Sequence, residues 1–210
     1  MFEFEKKILL TKTEYDYLRS DERFSKRPSL QKNYYYDTEK HELNELGITC
    51  RIRERKGKYK ATLKAHQPDI ENFSIETSGE VENERDLSFF KNMALLFQGE
   101  LDTYRINYIP QKNIRISLDE NIYLTTIDYE LEIEYNPKEE KTAARILNDI
   151  ANDLLTAGII KNKEEFIKRA ENAKSKSERF FEKKNTIKNI RKRSVFPAPF
   201  SNKPITLKIL

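Results

Sequence analysis

Apolar and polar residues alternate with period two over residues 128–135. Tyr129, Leu131, Ile133 and Tyr135 share one face of a strand, and Asp128, Glu130, Glu132 and Glu134 share the other. The same alternation opens the chain, where Phe2 and Phe4 interleave with Glu3, Glu5 and Lys7 on a strand over 2–10. Further strands are predicted at 31–37, 48–55, 58–66, 73–81, 101–108, 114–120 and 122–135, with Lys56-Gly57 turning the clearest hairpin. A shift to helical period marks the rest. Thr11 and Glu14 form a capping-box pattern for a helix to Ser20, and Gly47 closes a helical turn over 39–46. Leu87, Phe90, Met93, Ala94 and Phe97 make one stripe of a helix over 84–97. Asn136-Pro137 starts a helix carrying Ala144, Ile146, Leu147, Ile150 and Leu154, and another helix spans 162–173.

The polar faces differ from one strand to the next in the sign of their charge. Carboxylates occupy the first and last strands, whereas Arg51, Arg53 and Arg55 share a face of one hairpin arm and Lys60, Thr62 and Lys64 a face of the other. A face turned to water usually mixes signs, and four carboxylates in line repel one another. The helical stripes need an apolar sheet face, and the strands supply it on the side away from the charges. The expected fold is therefore α+β: an eight-stranded antiparallel β-barrel closed on its charged side, with helices packed outside and an interior able to hold a small ligand. Buried charges of one sign are costly unless paired or metal-bound. Two guests follow: a divalent cation at the carboxylates, Mg²⁺ or Mn²⁺ by the preference of hard oxygen donors, and a polyanion at the arginines and lysines.

Composition narrows this only a little. The chain has 210 residues, 35% charged and 37% hydrophobic, with 39 basic and 35 acidic side chains and a net charge of +4. That small surplus gives no global field for nucleic acid, so no specific nucleic-acid partner is expected. One cysteine, Cys50, shares a face with Ile52 and reads as a small buried hydrophobe in a reducing compartment. With no apolar run of membrane-spanning length, the expectation is a soluble, cytoplasmic protein with no membrane partner. His41 and His66 lack partners at ligand or catalytic spacing. From about Glu182 the chain turns basic, then to Val195-Phe196-Pro197-Ala198-Pro199-Phe200, so residues 1–181 are expected as the domain and 182–210 as a flexible tail.

Glu3-Phe4-Glu5-Lys6-Lys7 resembles the E-x-E-x-K signature of the CYTH superfamily, the triphosphate tunnel metalloenzymes. Asn33-Tyr34-Tyr35-Tyr36-Asp37-Thr38, Arg51-Ile52-Arg53, Thr62-Leu63-Lys64, Leu118-Asp119, residues 128–134, and Lys176 with Arg179-Phe180 resemble that family's landmarks in order, covering about residues 1–181. The likeness is to its small bacterial single-domain members. It implies an eight-stranded tunnel that cleaves triphosphates with a divalent cation. Residue by residue, it implies metal binding at Glu3, Glu5, Glu130 and Glu132, with Asp119 and Glu76 at further acidic positions. It implies phosphate binding at Lys7, Arg51, Arg53, Lys64 and Arg105, and a returning basic pair at Lys176 and Arg179.

Phosphoryl transfer needs neutralised phosphate oxygens and an aligned water more than covalent chemistry. Glu5, Glu76 and Glu132 are the candidates for positioning that water, and Lys7 for polarising the phosphate or leaving group. The leading expectation is a metal-dependent triphosphatase whose water attacks the terminal phosphoryl group, with inorganic triphosphate as substrate and ATP or thiamine triphosphate as related ones. The rivals are a class IV adenylate cyclase, a thiamine triphosphatase and a non-catalytic polyphosphate- or nucleotide-binding module. Residue by residue, the rival reading of each charge is a solvated or cross-strand ion pair; Tyr34 to Tyr36 read as packing rather than base-stacking residues. Whether the chain forms a homodimer is left open.

Overall fold

In the computed structural model of this chain, which describes residues 2–66 and 73–195, antiparallel strands close into a barrel. β1 (Phe2–Leu10) pairs with both β5 (Phe73–Val81) and β8 (Thr126–Tyr135), and that double pairing seals the ring. Between them run β4 (Lys58–His66), β3 (Ile48–Arg55), β2 (Ser29–Asp37), β6 (Leu96–Gln111) and β7 (Ile114–Tyr123). Alternation decides what each strand shows to either side. Ile116, Leu118, Leu131 and Ile133 face outward into the main core, while Ser117, Asp119, Glu130 and Glu132 face inward and are buried all the same. The charged side is the inside.

The outer core explains the helices. α1 (Lys12–Ser20), α3 (Glu140–Thr156) and α4 (Lys163–Lys168) lay Leu18, Leu147, Ile150, Leu154 and Phe166 over Ile8, Leu10 and the outer faces of β7 and β8. Each such side chain contributes about 1.5–3 kcal/mol when fully buried. The capping box of Thr11 and Glu14 is present, and Asn162 caps α4 through the Glu165 amide. A short turn of helix, α2 (Glu42–Glu45), leads through Gly47 at φ 69° into β3. Lys56 and Gly57 both take positive φ, the requirement of a tight hairpin turn between β3 and β4.

Four sequence expectations need correction. The helix over 84–97 is absent: a single 3₁₀ turn, Ser88–Phe90, stands there, and β6 already begins at Leu96. Phe90 and Leu95 bury themselves against Cys50, Ile52 and Ala61, but Ala94 and Phe97 of the expected stripe are exposed, so the helical spacing does not mark the buried positions. Pairing of Leu96 and Phe97 with Asp37 and Tyr36 outweighs the local helical pattern. The single strand over 122–135 is two. Leu124 turns the chain at φ 51°, and Ile122 pairs with Ile127 across the hairpin. Asn136 does cap its segment, but through a 3₁₀ turn, Pro137–Glu139, ahead of α3. The helix expected over 162–173 is α4 followed by a 3₁₀ turn, Arg169–Asn172.

α5 (Lys176–Val195) runs continuously through residue 181, where composition suggested a domain edge, and Phe196 onward lies outside the described residues. Its first turns close one end of the barrel. Phe180 and Phe181 pack with Tyr35, Leu101 and Tyr123 in a separate small core. Gly99, at φ 138°, makes room for that closure: a Cβ there would stand 2.7 Å from Cζ of Phe180. No described helix is long and apolar enough to cross a membrane.

Candidate active site

The barrel encloses a cavity of about 870 Å³. Its rim carries Arg55, Lys58, Lys60, Ile109 and Arg115; its floor is Ser175, Lys176 and Ser177 at the start of α5. The floor is fixed by Thr49 Oγ1, 2.7 Å from Ser177 Oγ, and by Arg179, which donates to the Lys174 carbonyl at 2.6 Å. Cationic side chains dominate the lining: ten lysines and arginines against five glutamates.

One wall is closely paired. Lys176 Nζ lies 2.6 Å from Glu132 Oε1, 2.9 Å from Asp119 Oδ2 and 3.1 Å from Glu130 Oε1. Arg105 donates to both Asp119 oxygens, at 2.8 and 2.6 Å, and also to Glu132. Arg179 donates to Asp128 at 2.9 Å and to Glu130. Burial works against ionised Glu132, but Arg105 and Lys176 outweigh it and hold the carboxyl well below the usual range. Burial likewise works against charged Lys176, yet Glu130, Glu132 and Asp119 bind its proton more firmly than normal. For Glu130, burial wins over Lys176 and Arg179 and pushes its pKa up.

The opposite wall has cations with few counter-ions. Arg53 Nε donates to the neutral Asn33 Oδ1 at 2.8 Å. Burial, then repulsion from Arg51 and Arg105, presses its pKa down to about 9, which leaves it charged at neutral pH. Arg51 Nη2 is 3.8 Å from Glu76, and its Nε is buried without a protein hydrogen bond. Between the walls, Glu5 Oε1 sits 2.7 Å from Lys7 and 3.3 Å from Lys64. Burial raises the Glu5 pKa, but those two ammonium groups override it and set a value of about 2.

Of the residues singled out from sequence, Glu5, Lys7, Arg51, Arg53, Lys64, Glu76, Arg105, Glu132 and Lys176 all line this one cavity. Asp119 and Glu130, expected as metal ligands, do not reach it. Both are 0% exposed and lie behind Lys176 and Arg105 as their counter-ions, because inward charges deep in a closed sheet find partners in the barrel. Arg179, expected to bind phosphate, sits behind the floor with Asp128 and Glu130. The Glu3 backbone pairs with Ser74, and its side chain is outside the described ones. Cys50 is buried, with its thiol pushed up to about 12 by that burial, and His41 packs on Phe181. Sequence reasoning missed Gln31 and Tyr35 in the lining, although period two from Asn33 along β2 places all three on one face.

The carboxylate oxygens of Glu5, Glu76 and Glu132 suit a hard divalent cation. As placed they are engaged by lysines and arginines, and among the described residues no three His, Cys, Asp or Glu side chains converge on a metal position.

A closed barrel with a two-signed interior and a cationic surplus defines an anion-binding tunnel protein. The CYTH domain model matches residues 1–163, and the chain belongs to that family. It is 32% identical over 147 residues to YjbK of Bacillus subtilis (strain 168), a protein named as a candidate triphosphatase; the match covers 63% of this chain and 76% of YjbK. Two solved structures share the fold. One is a candidate adenylate cyclase from Bacillus halodurans, at TM-score 0.60 and 24% identity, covering 85% of this chain and 97% of that one. The other is HpAC1 from Hippeastrum, a candidate adenylyl cyclase described as having a dominant triphosphatase activity, at TM-score 0.58 and 20% identity, covering 86% and 96%.

Proposed function

We propose that this protein hydrolyses a triphosphate bound in the barrel cavity, with inorganic triphosphate as the substrate and Mg²⁺ or Mn²⁺ as cofactor. The observation that carries this is the arginine pair Arg51 and Arg53 of β3, which lines the same cavity as Glu5 and Glu132 and in which Arg53 bonds the neutral Asn33. Burying so many cations near one another is unfavourable unless an anion joins them. The guanidinium forks of Arg51 and Arg53 match phosphate oxygens in geometry as well as charge. The names carried by YjbK and HpAC1 support the same reading.

Each group then has a task. Arg51, Arg53 and Lys64 hold the phosphate oxygens. Lys7 and Lys64 keep Glu5 ionised, and Arg105 and Lys176 do the same for Glu132, so both remain oxygen donors at neutral pH. Glu5 and Glu132, with Glu3 of the same sequence motif, are the groups to hold a divalent cation. Such a cation supplies charge neutralisation across phosphate oxygens and a more acidic water. Glu76 orients the attacking water, and Lys7 stabilises charge on the phosphate. Asp119, Glu130 and Arg179 position Lys176 and Arg105 rather than touching substrate.

The test is incubation with tripolyphosphate, ATP and thiamine triphosphate, with Mg²⁺ or Mn²⁺, following phosphate, pyrophosphate and cyclic AMP. Phosphate release from tripolyphosphate is expected, and Glu132→Gln should lower it by on the order of a hundredfold or more, as for loss of a group acting on transition-state charge. Cyclic AMP from ATP would replace hydrolase with cyclase. No turnover of any triphosphate with either metal would overturn the proposal.

A further inference from the structure

The net charge of +4 conceals a division of the chain. Residues 183–210 hold eight of its 39 lysines and arginines and none of its 35 carboxylates, which leaves 31 basic against 35 acidic side chains in residues 1–182. We propose that the far half of α5, from Lys183 onward, is a docking element for an anionic bilayer surface. The inference is independent of the triphosphate reading. The expectation of no membrane partner rested on the lack of a spanning run, and a helix lying in the headgroup plane needs none.

The first turns of α5 are seated. Phe180 and Phe181 pack in the small core, and Lys184 donates to the backbone and side-chain oxygens of Gln98, each at 2.6 Å. Glu182, the last carboxylate of the chain, is taken by Lys174 at 2.5 Å. Beyond this point Asn185, Thr186, Lys188, Asn189 and Ile190 are exposed, yet the helix continues to Val195. Helices draw most of their stability from packing, and these turns have little of it. Among the described residues Lys183, Lys184 and Lys188 form no ion pair. Burial first, then repulsion from Lys188, lower the Lys184 pKa, with Asp37 opposing.

Cations alone would suit any polyanion, and the apolar side chains decide between them. Ile187 and Ile190 stand three residues apart on one side of the helix, and Ile190 is 61% exposed beside the lysines. Nucleic-acid phosphates give an isoleucine nothing to bury against. A bilayer uses both kinds of group, with anionic headgroups at the cations and the acyl boundary at the isoleucines. Residues 195–210 add further apolar residues and two more lysines. No described residue of α5 beyond Ser177 lines the cavity, so docking there leaves the tunnel to its ligand.

The test is sedimentation of the full chain with vesicles of phosphatidylcholine alone and of phosphatidylcholine mixed with phosphatidylglycerol, at low and at physiological salt. The expected result is binding to the mixed vesicles only, weakening as salt rises. Lys188→Glu and Ile190→Ser, both at exposed positions that the fold does not need, should each weaken it by about tenfold, for reversal of a charge near the headgroups and loss of an apolar side chain at the acyl boundary. No binding to the mixed vesicles at low salt would overturn the inference, as would equal binding by wild type and both variants. A loss confined to Lys188→Glu would also overturn it, since a charged surface without an apolar layer would then suffice. Tighter binding to a single-stranded oligonucleotide than to the mixed vesicles, unaffected by Ile190→Ser, would overturn it in favour of nucleic acid.

Discussion

The two sides of the barrel interior use the same kinds of side chain to opposite ends. Toward the floor, Lys176, Arg105 and Arg179 are each matched by two or more of Asp119, Asp128, Glu130 and Glu132. On the β3 wall, Arg53 bonds the neutral Asn33 and Arg51 stands 3.8 Å from Glu76. A matched buried network adds little net stability over a well-packed apolar one, so its value here is positional: it fixes the floor and the ionisation of Glu132. Arg53, which pairs with no carboxylate among the described residues, has no such internal reason. Matched charge shapes the cavity, and unmatched charge marks where the ligand goes.

The sharpest way to break that contrast is to neutralise one unmatched cation. Arg53→Gln keeps a donor for Asn33 and removes the charge that burial, Arg51 and Arg105 all disfavour. Without ligand it should melt no lower than wild type. With tripolyphosphate at 100 times the wild-type Kd, wild type gains about 2.7 kcal/mol; a variant binding a hundredfold more weakly gains only about 0.4 kcal/mol. Thermal shifts with and without tripolyphosphate check both halves. A ligand-free Tm several degrees below wild type would mean that Arg53 is structural and the two walls are alike.

Glu5 sharpens the comparison from the other side, being a carboxylate held by lysines of both the β1 and β4 strands. Its folded pKa of about 2 lies below the ordinary 4.5, so its contribution is fully present above about pH 4.5 and is lost as pH falls toward 2. Glu5→Gln should therefore be less stable than wild type at pH 7, by up to about 3 kcal/mol at 1.36 kcal/mol per pKa unit. The gap should narrow as pH drops from about 4.5 toward 2, measured by urea unfolding at several pH values. A gap independent of pH would show that Lys7 and Lys64 do not act on the Glu5 charge.

The barrel and most of the site were legible because a strand's period of two is local. Once Glu130 and Glu132 alternate with Leu131 and Ile133, the inward side follows from where the helices must pack. What the period does not encode is depth along the strand. Glu130 and Glu132 look equivalent in sequence, yet Glu132 lines the cavity and Glu130 is sealed behind Lys176, because α5 closes the barrel at that level. The same closure hides Tyr35: three tyrosines in a row read as packing until Phe180 and Phe181 fix one of them over the floor. The error over 84–97 has another cause, since the pairing of Leu96 with Asp37 is a contact about sixty residues away that no window of that stretch contains.

The smallest expected effect tests whether the floor is held as tightly as its charges suggest, and two glycines provide it. Gly99 combines φ 138°, which disfavours any side chain, with a would-be Cβ 2.7 Å from Phe180 Cζ. Gly79 has no such backbone demand, although its Cβ would meet Phe89 Cδ2 at 2.9 Å. Phe180 is fully buried between Tyr35 and Tyr123, whereas Phe89 is only partly buried at the edge of the second core and has room to give. Gly99→Ala should cost about 1–3 kcal/mol by overpacking and strain, and Gly79→Ala less than about 1 kcal/mol. Because Phe180 and the floor residues Lys176 and Ser177 belong to the first turns of α5, Gly99→Ala should also weaken tripolyphosphate binding, and Gly79→Ala should not. Equal effects of the two changes on binding would detach the floor from the site and leave the β3 wall to hold the ligand alone.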